Sequence, residues 1–240
     1  MSIRKIALAG LLIAVFACVS IPSFAATLYS QPPLPFPTLG ASWTSTIDSS
    51  GTGFITWDNF SVASDSYITS ASWRGFAWDF RTSANNPVPL ATETWIVSFF
   101  DDNGGVPGTP VGGDARTASA VATVLVGTAP FNGDTVNVYD LTFNFSTPFL
   151  AKAGVQYWIT PLSSQTNFNP VFSWSEGTGG DGQSYQCAVS GGVSVGCNFQ
   201  QGDRAFAVYG SAVAPEPSSL ALLASGVIGL AGLARRRLLR

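Results

Sequence analysis

The chain contains no histidine. That removes the commonest general base and the commonest transition-metal ligand. Charge is scarce too. Asp, Glu, Lys and Arg make up 10% of 240 residues, against about 25% in an ordinary soluble domain. Between residues 26 and 214 the basic residues are Arg74, Arg81, Arg116, Lys152 and Arg204, set against thirteen acidic ones, a net of −8. No basic patch is available to displace phosphate counterions, which argues against a nucleic-acid partner. The same stretch lacks helical periodicity of ten or more residues. It also lacks a Gly-x-Ser-x-Gly elbow, a His-Glu-x-x-His pair and a cysteine with a histidine partner. Nothing calls for a cofactor.

Gly, Ser, Thr and aromatic residues fill the gap, the composition of an extracellular β-protein. Strand-like runs fall at Gly53–Trp57, Tyr67–Trp78, Thr94–Phe100, Ala120–Val126, Val136–Phe145, Val155–Thr160, Val171–Trp174 and Ala205–Tyr209. They are rich in Val, Ile, Thr and aromatics and bounded by Gly, Pro, Asn or Asp. Tyr139, Leu141, Phe143 and Phe145 alternate with Asp140, Thr142 and Asn144, so one face is buried and the other wet. Trp95 to Phe100 is apolar on both faces and is expected to lie centrally. The fold expected is all-β, an antiparallel β-sandwich or jelly roll over residues 41–212, behind a Pro-rich lead-in at 26–40.

The two ends read as targeting segments. Arg4 and Lys5 precede an apolar stretch from Ile6 to Ile21, then Pro22 and Ser23-Phe24-Ala25. This is a signal peptide over residues 1–25, cut by signal peptidase after Ala25. At the other end stand Pro215, Glu216 and Pro217, the uncharged run 218–234, and Arg235, Arg236 and Arg237. As a helix, residues 218–234 rise about 25 Å, close to the core of a bilayer. The arginines stay on the cytoplasmic side.

The order and position of these parts over residues 213–240 resemble the PEP-CTERM sorting signal of Gram-negative bacteria. The resemblance implies an exosortase partner, a membrane cysteine transpeptidase. It also implies a transient stay in the inner membrane, loss of the tail near the triplet, and delivery to the cell envelope, surface or extracellular matrix. The alternative is an ordinary membrane anchor.

Cys18 leaves with the signal peptide, so Cys187 and Cys197 remain as an even pair in an oxidising compartment. A three-residue loop at Gly191-Gly192-Val193 sets Ser190 opposite Ser194 and Cys187 opposite Cys197, a spacing that suits a disulfide across a hairpin.

Candidate sites are few. Asp101, Asp102 and Asn103 open the loop to Thr109. Three readings stand: a plain turn, Ca²⁺ bound through their oxygens, or part of an active site. The alternating spacing of an EF-hand is absent. Seven tryptophans are present. Trp95 and Trp158 are expected in the core. Trp73 and Trp78, flanking Arg74-Gly75, are candidate carbohydrate contacts if a bulge turns one outward.

The blocks Trp57–Val62, Ile68–Gly75, Val97–Gly108 and Asp203–Gly210 are similar to a β-sandwich ectodomain common among PEP-CTERM proteins. Its members are similar to a carbohydrate-binding jelly roll, and it supplies no catalytic or binding residues to transfer. Two functions follow. One is a non-catalytic protein that binds or organises extracellular polysaccharide, or simply serves as an envelope or matrix component. The other is a glycan hydrolase or lyase, for which Glu93, Asp101, Asp102 and Glu176 are the candidate carboxylates and no motif pairs them.

Overall fold

The computed structural model describes residues 25–81 and 87–213, together with Gly226. The signal peptide, Pro215, Glu216, Pro217, the run 218–234 and Arg235, Arg236 and Arg237 lie outside the described residues.

Two antiparallel sheets face each other. The first contains β1 (Ala26–Gln31), β2 (Trp43–Thr44), β5 (Ser66–Trp78), β8 (Ala122–Phe131), β9 (Asp134–Ala151), β11 (Val171–Trp174) and β16 (Phe206–Ala212). The second contains β3 (Thr46–Ile47), β4 (Gly53–Ser61), β6 (Thr94–Asp102), β7 (Pro107–Thr117), β10 (Gln156–Ser164), β13 (Gln183–Ser190) and β14 (Val193–Gln201). A small pair, β12 (Glu176–Gly177) and β15 (Asp203–Arg204), closes one side. Only β3 and β10 run parallel among the paired strands.

In the first sheet β5 is the spine. β9 runs along one side of it. The other side is shared, with β16 on the first part of β5 and β11 on its last four residues. The second sheet is ordered β14, β13, β4, β3, β10, β6, β7.

The core forms where the apolar faces meet. Trp73, Leu141, Phe143, Phe206 and Val208 of the first sheet pack against Phe60, Val97, Phe99 and Ile159 of the second. Trp95 sits 5.2 Å from Trp73 and 4.8 Å from Phe172, ring centre to ring centre. Large aromatics give the greatest buried area per residue, so they carry this core. Among the described residues, all the paired strands and apolar clusters lie within 26–213.

The β9 alternation holds: Leu141, Phe143 and Phe145 are buried, and Asn144 is exposed. In β6, Trp95, Val97 and Phe99 point into the core, while Ile96 and Phe100 are half-buried on the other face. This strand is paired on both sides, by β10 and β7, but lies one strand from the edge rather than centrally.

Three expectations need correction. The 26–40 lead-in is part of the sandwich. Ala26–Gln31 pairs with β16, and Leu39 packs with Phe76, Val136 and Val138 in a second apolar cluster. Gly127 makes room for it: a Cβ there would approach the Phe36 ring to 2.9 Å. Four prolines in residues 32–37 stop the segment from continuing the ladder, and its apolar side chains then cover the sheet instead.

The loop expected from Asp101 to Thr109 is shorter: Asp101 and Asp102 end β6, and Pro107–Thr109 begin a strand at the sheet edge, where prolines are tolerated. Finally, the 190s hairpin has a two-residue turn, Gly191-Gly192, with φ of 58° and 78°. Ser190 faces Val193, and Val189 faces Ser194. Two successive left-handed glycines suit this tighter turn. A bulge between Ala188 and Val189 on the partner register then restores Cys187 opposite Cys197.

Candidate functional site

The two hairpin cysteines are bonded. Cys187 and Cys197 have an S–S distance of 2.02 Å and Cα atoms 4.0 Å apart. The bond packs beside Trp57 and Trp158 in a third apolar cluster.

The acidic turn is tied to its own chain. Asp101 accepts from the backbone N–H of Thr109 and, at 2.8 Å, from its hydroxyl. Asp102 Oδ1 accepts from Trp158 Nε1 at 2.9 Å and Gln156 Nε2 at 3.2 Å, and both its oxygens face the N–H of Gly105. Asn103 N–H closes the turn onto Val106. The carboxylates are therefore acceptors for protein donors. Among the described residues no group of three or more His, Cys, Asp or Glu could hold a metal ion.

Glu93 and Asp101 stand at opposite ends of β6, about 25 Å apart at the rise of an extended strand, well beyond the spacing of about 5–9.5 Å that glycoside hydrolysis needs. Glu93 accepts from the Thr166 hydroxyl, and Glu176 accepts from the N–H of Ala41.

The two candidate tryptophans separate. Trp73 is 3% exposed and packs in the core. The strand is regular between Trp73 and Trp78, without the bulge that was to reorient one of them. An odd separation then puts the two on opposite faces. Trp78 is half-buried, and its Nε1 donates to Asp134 Oδ2 at 2.9 Å.

Trp78 lines an open cleft of about 340 Å³ with Trp43, Phe54 and Phe131. Hydroxyls and amides of Ser42, Thr44, Asn132, Ser173 and Gln186 complete the lining, and none of its residues is charged. The aromatic surface continues beyond the cleft. Phe80 lies 5.7 Å from Trp78, Phe168 lies 6.1 Å from Phe80, and Phe54 lies 6.1 Å from Phe168. Flat rings with neutral donors and acceptors can stack on a sugar face and hold its hydroxyls. Trp43, Phe54 and Phe131 were not singled out in the sequence. They come from β2, β4 and the end of β8, and only the fold brings them together.

A second groove, about 320 Å³, crosses the other part of the first sheet and holds Arg74 and Asp140. Arg74 donates to Asp140 through Nε at 2.7 Å and Nη2 at 2.8 Å, so this pair satisfies itself.

A buried polar network was also missed. Asp58 is fully buried. Its Oδ1 accepts from the N–H of Asn59 at 2.6 Å, and its Oδ2 accepts from the N–H of Arg204. With the Gln31 amide nitrogen turned inward, it donates at 2.7 Å to Asp58 Oδ2 and to the Arg204 carbonyl. Burial pushes the Asp58 carboxyl well above its ordinary value, and the N–H donors and the Arg204 charge offset this in part. Arg204, equally buried, donates to the carbonyls of Ala41, Trp174, Gln201 and Gly202. Burial lowers its guanidinium to about 10. The network ties β1, β4 and β15 together. Its sole sequence signal is charge between strands in a charge-poor chain.

The ends of the body fix the cleft's direction. Ala26 pairs with Gly210, so the chain enters and leaves side by side. Gly210 pairs with Ile68 near the start of β5, whereas Trp78 ends it. At about 3.3 Å per residue, the cleft lies more than 30 Å along β5 from the point where both ends emerge.

A comparison with curated proteins finds no match for the chain. Residues 213–237 match the PEP-CTERM protein-sorting motif, so this all-β protein carries the sorting signal that marks a chain for processing by an exosortase.

Proposed function

We propose that this protein is an exported β-sandwich of a Gram-negative cell envelope or extracellular matrix, and that it binds extracellular polysaccharide without cleaving it. One observation carries the reading. An uncharged, aromatic-lined cleft sits at the end of the body remote from the paired chain ends. While the tail holds the chain at the inner membrane, that cleft faces away from the bilayer. After release it is free to engage the matrix. The lining holds no carboxylate, which favours binding over hydrolysis.

The test is a glycan array together with a reducing-sugar release assay, run on residues 26–213 and on Trp78→Ala and Trp43→Ala. The reading expects binding of a neutral glycan with no sugar release, and at least about tenfold weaker binding in both variants. Sugar release would favour the hydrolase or lyase. Binding unchanged in both variants, or absent from every glycan, would overturn the cleft as the site.

A further inference from the structure

The polar groups of the aromatic cleft are unevenly committed. Both of its indole N–H groups are engaged within the protein. Trp78 Nε1 donates to Asp134 Oδ2 at 2.9 Å, and Trp43 Nε1 donates to the Gln201 carbonyl at 3.3 Å. An indole has a single donor and no acceptor, so these rings have only their faces left to offer. The Ser42 hydroxyl donates to the Leu39 carbonyl at 3.1 Å, which leaves its oxygen as an acceptor.

Gln186 is fixed in the same sense. The strand register sets it opposite Thr56, where β13 pairs with β4. Its Nε2 donates to the Thr44 carbonyl at 2.9 Å and to the Thr56 hydroxyl at 3.1 Å. The Thr56 hydroxyl sends its own proton to the Thr44 carbonyl at 2.7 Å, so its oxygen is free to accept from Gln186. A carbonyl cannot donate, and so the amide end that faces Thr44 is the nitrogen. Both amide protons are then spent. Gln186 is 9% exposed and lines the cleft, and its Oε1 meets no protein donor among the described residues. A nearly buried acceptor of fixed direction is costly to leave unmatched once a ligand displaces its water.

Taking the cleft as the polysaccharide site proposed above, we infer that it selects sugars whose hydroxyls are unsubstituted. The sugar lies on the faces of Trp43 and Trp78, and one of its hydroxyls donates to Gln186 Oε1. An ether or ester oxygen at that position has no proton and sets a second acceptor against Oε1. A substituted sugar therefore loses the bond and meets repulsion. A site built around a ligand hydroxyl rejects analogues that lack it far more strongly than an apolar site separates ligands by size. The requirement is set by Gln186, because the hydroxyls of Thr44 and Ser173 and the amide of Asn132 can each donate or accept.

The test uses the protein recovered in mature form from its native host and the neutral polysaccharide of that host's matrix, unmodified and O-methylated. Methylation removes hydroxyl protons while adding apolar surface, so it separates proton donation from stacking. Calorimetric titration of the wild type should show binding of the unmodified form and at least about tenfold weaker binding of the methylated one. Gln186→Met keeps the side-chain length without the amide oxygen. It should bind the unmodified form at least about tenfold more weakly than wild type does, and should bind both forms alike. Wild type that binds the methylated form as tightly as the unmodified one overturns the selection by hydroxyls and leaves the polysaccharide reading standing. So does a folded Gln186→Met that keeps the wild-type preference. If that variant fails to fold, as judged by circular dichroism, the wild-type comparison decides alone. Wild type that binds neither form overturns the selection together with the reading of the cleft.

Discussion

Asp58 is a carboxylate placed where carboxylates are costly, and the cost is readable as a pH dependence. Burial raises it well above the ordinary 3.8, so the folded state retains a proton that the unfolded chain releases. The stability this contributes is full below 3.8 and is lost as pH rises through the raised value. Asp48, Asp65 and Asp114 are held low by hydrogen bonds, chiefly from Ser50, Lys152 and Ser146. Their contributions are present above the ordinary value and fade only below it. The chain has no histidine and the two body cysteines are bonded, so no other side chain has an ordinary pKa between about 5 and 7. The thermal midpoint of the body should rise as pH falls from the raised value toward 3.8, and Asp58→Asn should flatten that slope. An equally steep slope in the variant would contradict this assignment. Trp73 and Trp78 give a second test. Trp73→Ala should cost about 3–5 kcal/mol, as core aromatic truncations do. Trp78→Ala should cost clearly less in urea denaturation, because Trp78 is half-buried. Equal losses would contradict the division between core and cleft.

At the scale of the element, legibility followed side-chain chemistry. Runs such as Thr94–Phe100 and Val136–Phe145 were visible because β-branched and aromatic residues cluster there, and β6 and β9 formed around them. β7 was hidden. Pro107, Gly108, Pro110, Gly112 and Gly113 contradict strand propensity, and the strand exists because β6 offers a ladder to pair with. The Asn132-Gly133 turn between β8 and β9, with φ of 49° and 87°, was not read in advance, although both residues enter the left-handed region readily. The cleft was not legible, because its aromatics come from strands far apart in the chain and joined only by pairing. The cysteine hairpin was legible in its pairing but not in its turn. Replacing Cys187 and Cys197 by serine should cost about 3 kcal/mol on the chain-entropy model. The fold should remain, since the main core lies between the sheets. Guanidinium denaturation of the double variant checks this, and an unchanged midpoint would contradict it.

For the whole molecule, the folded body and the targeting segments meet cleanly. β1 begins at Ala26, the residue expected to follow signal-peptide cleavage. β16 ends at Ala212, and the sorting motif begins at residue 213. Because Ala26 pairs with Gly210, both segments leave the body at one place. Either can be removed without taking a strand from the sheet. The central claim is that this chain is an exosortase substrate whose body is released intact. Intact-mass spectrometry of the surface or secreted protein from its native host tests it most directly. The account predicts a chain that starts near Ala26 and ends close to Pro215–Pro217. A mature chain still carrying Arg240 would contradict it and make the tail a permanent anchor.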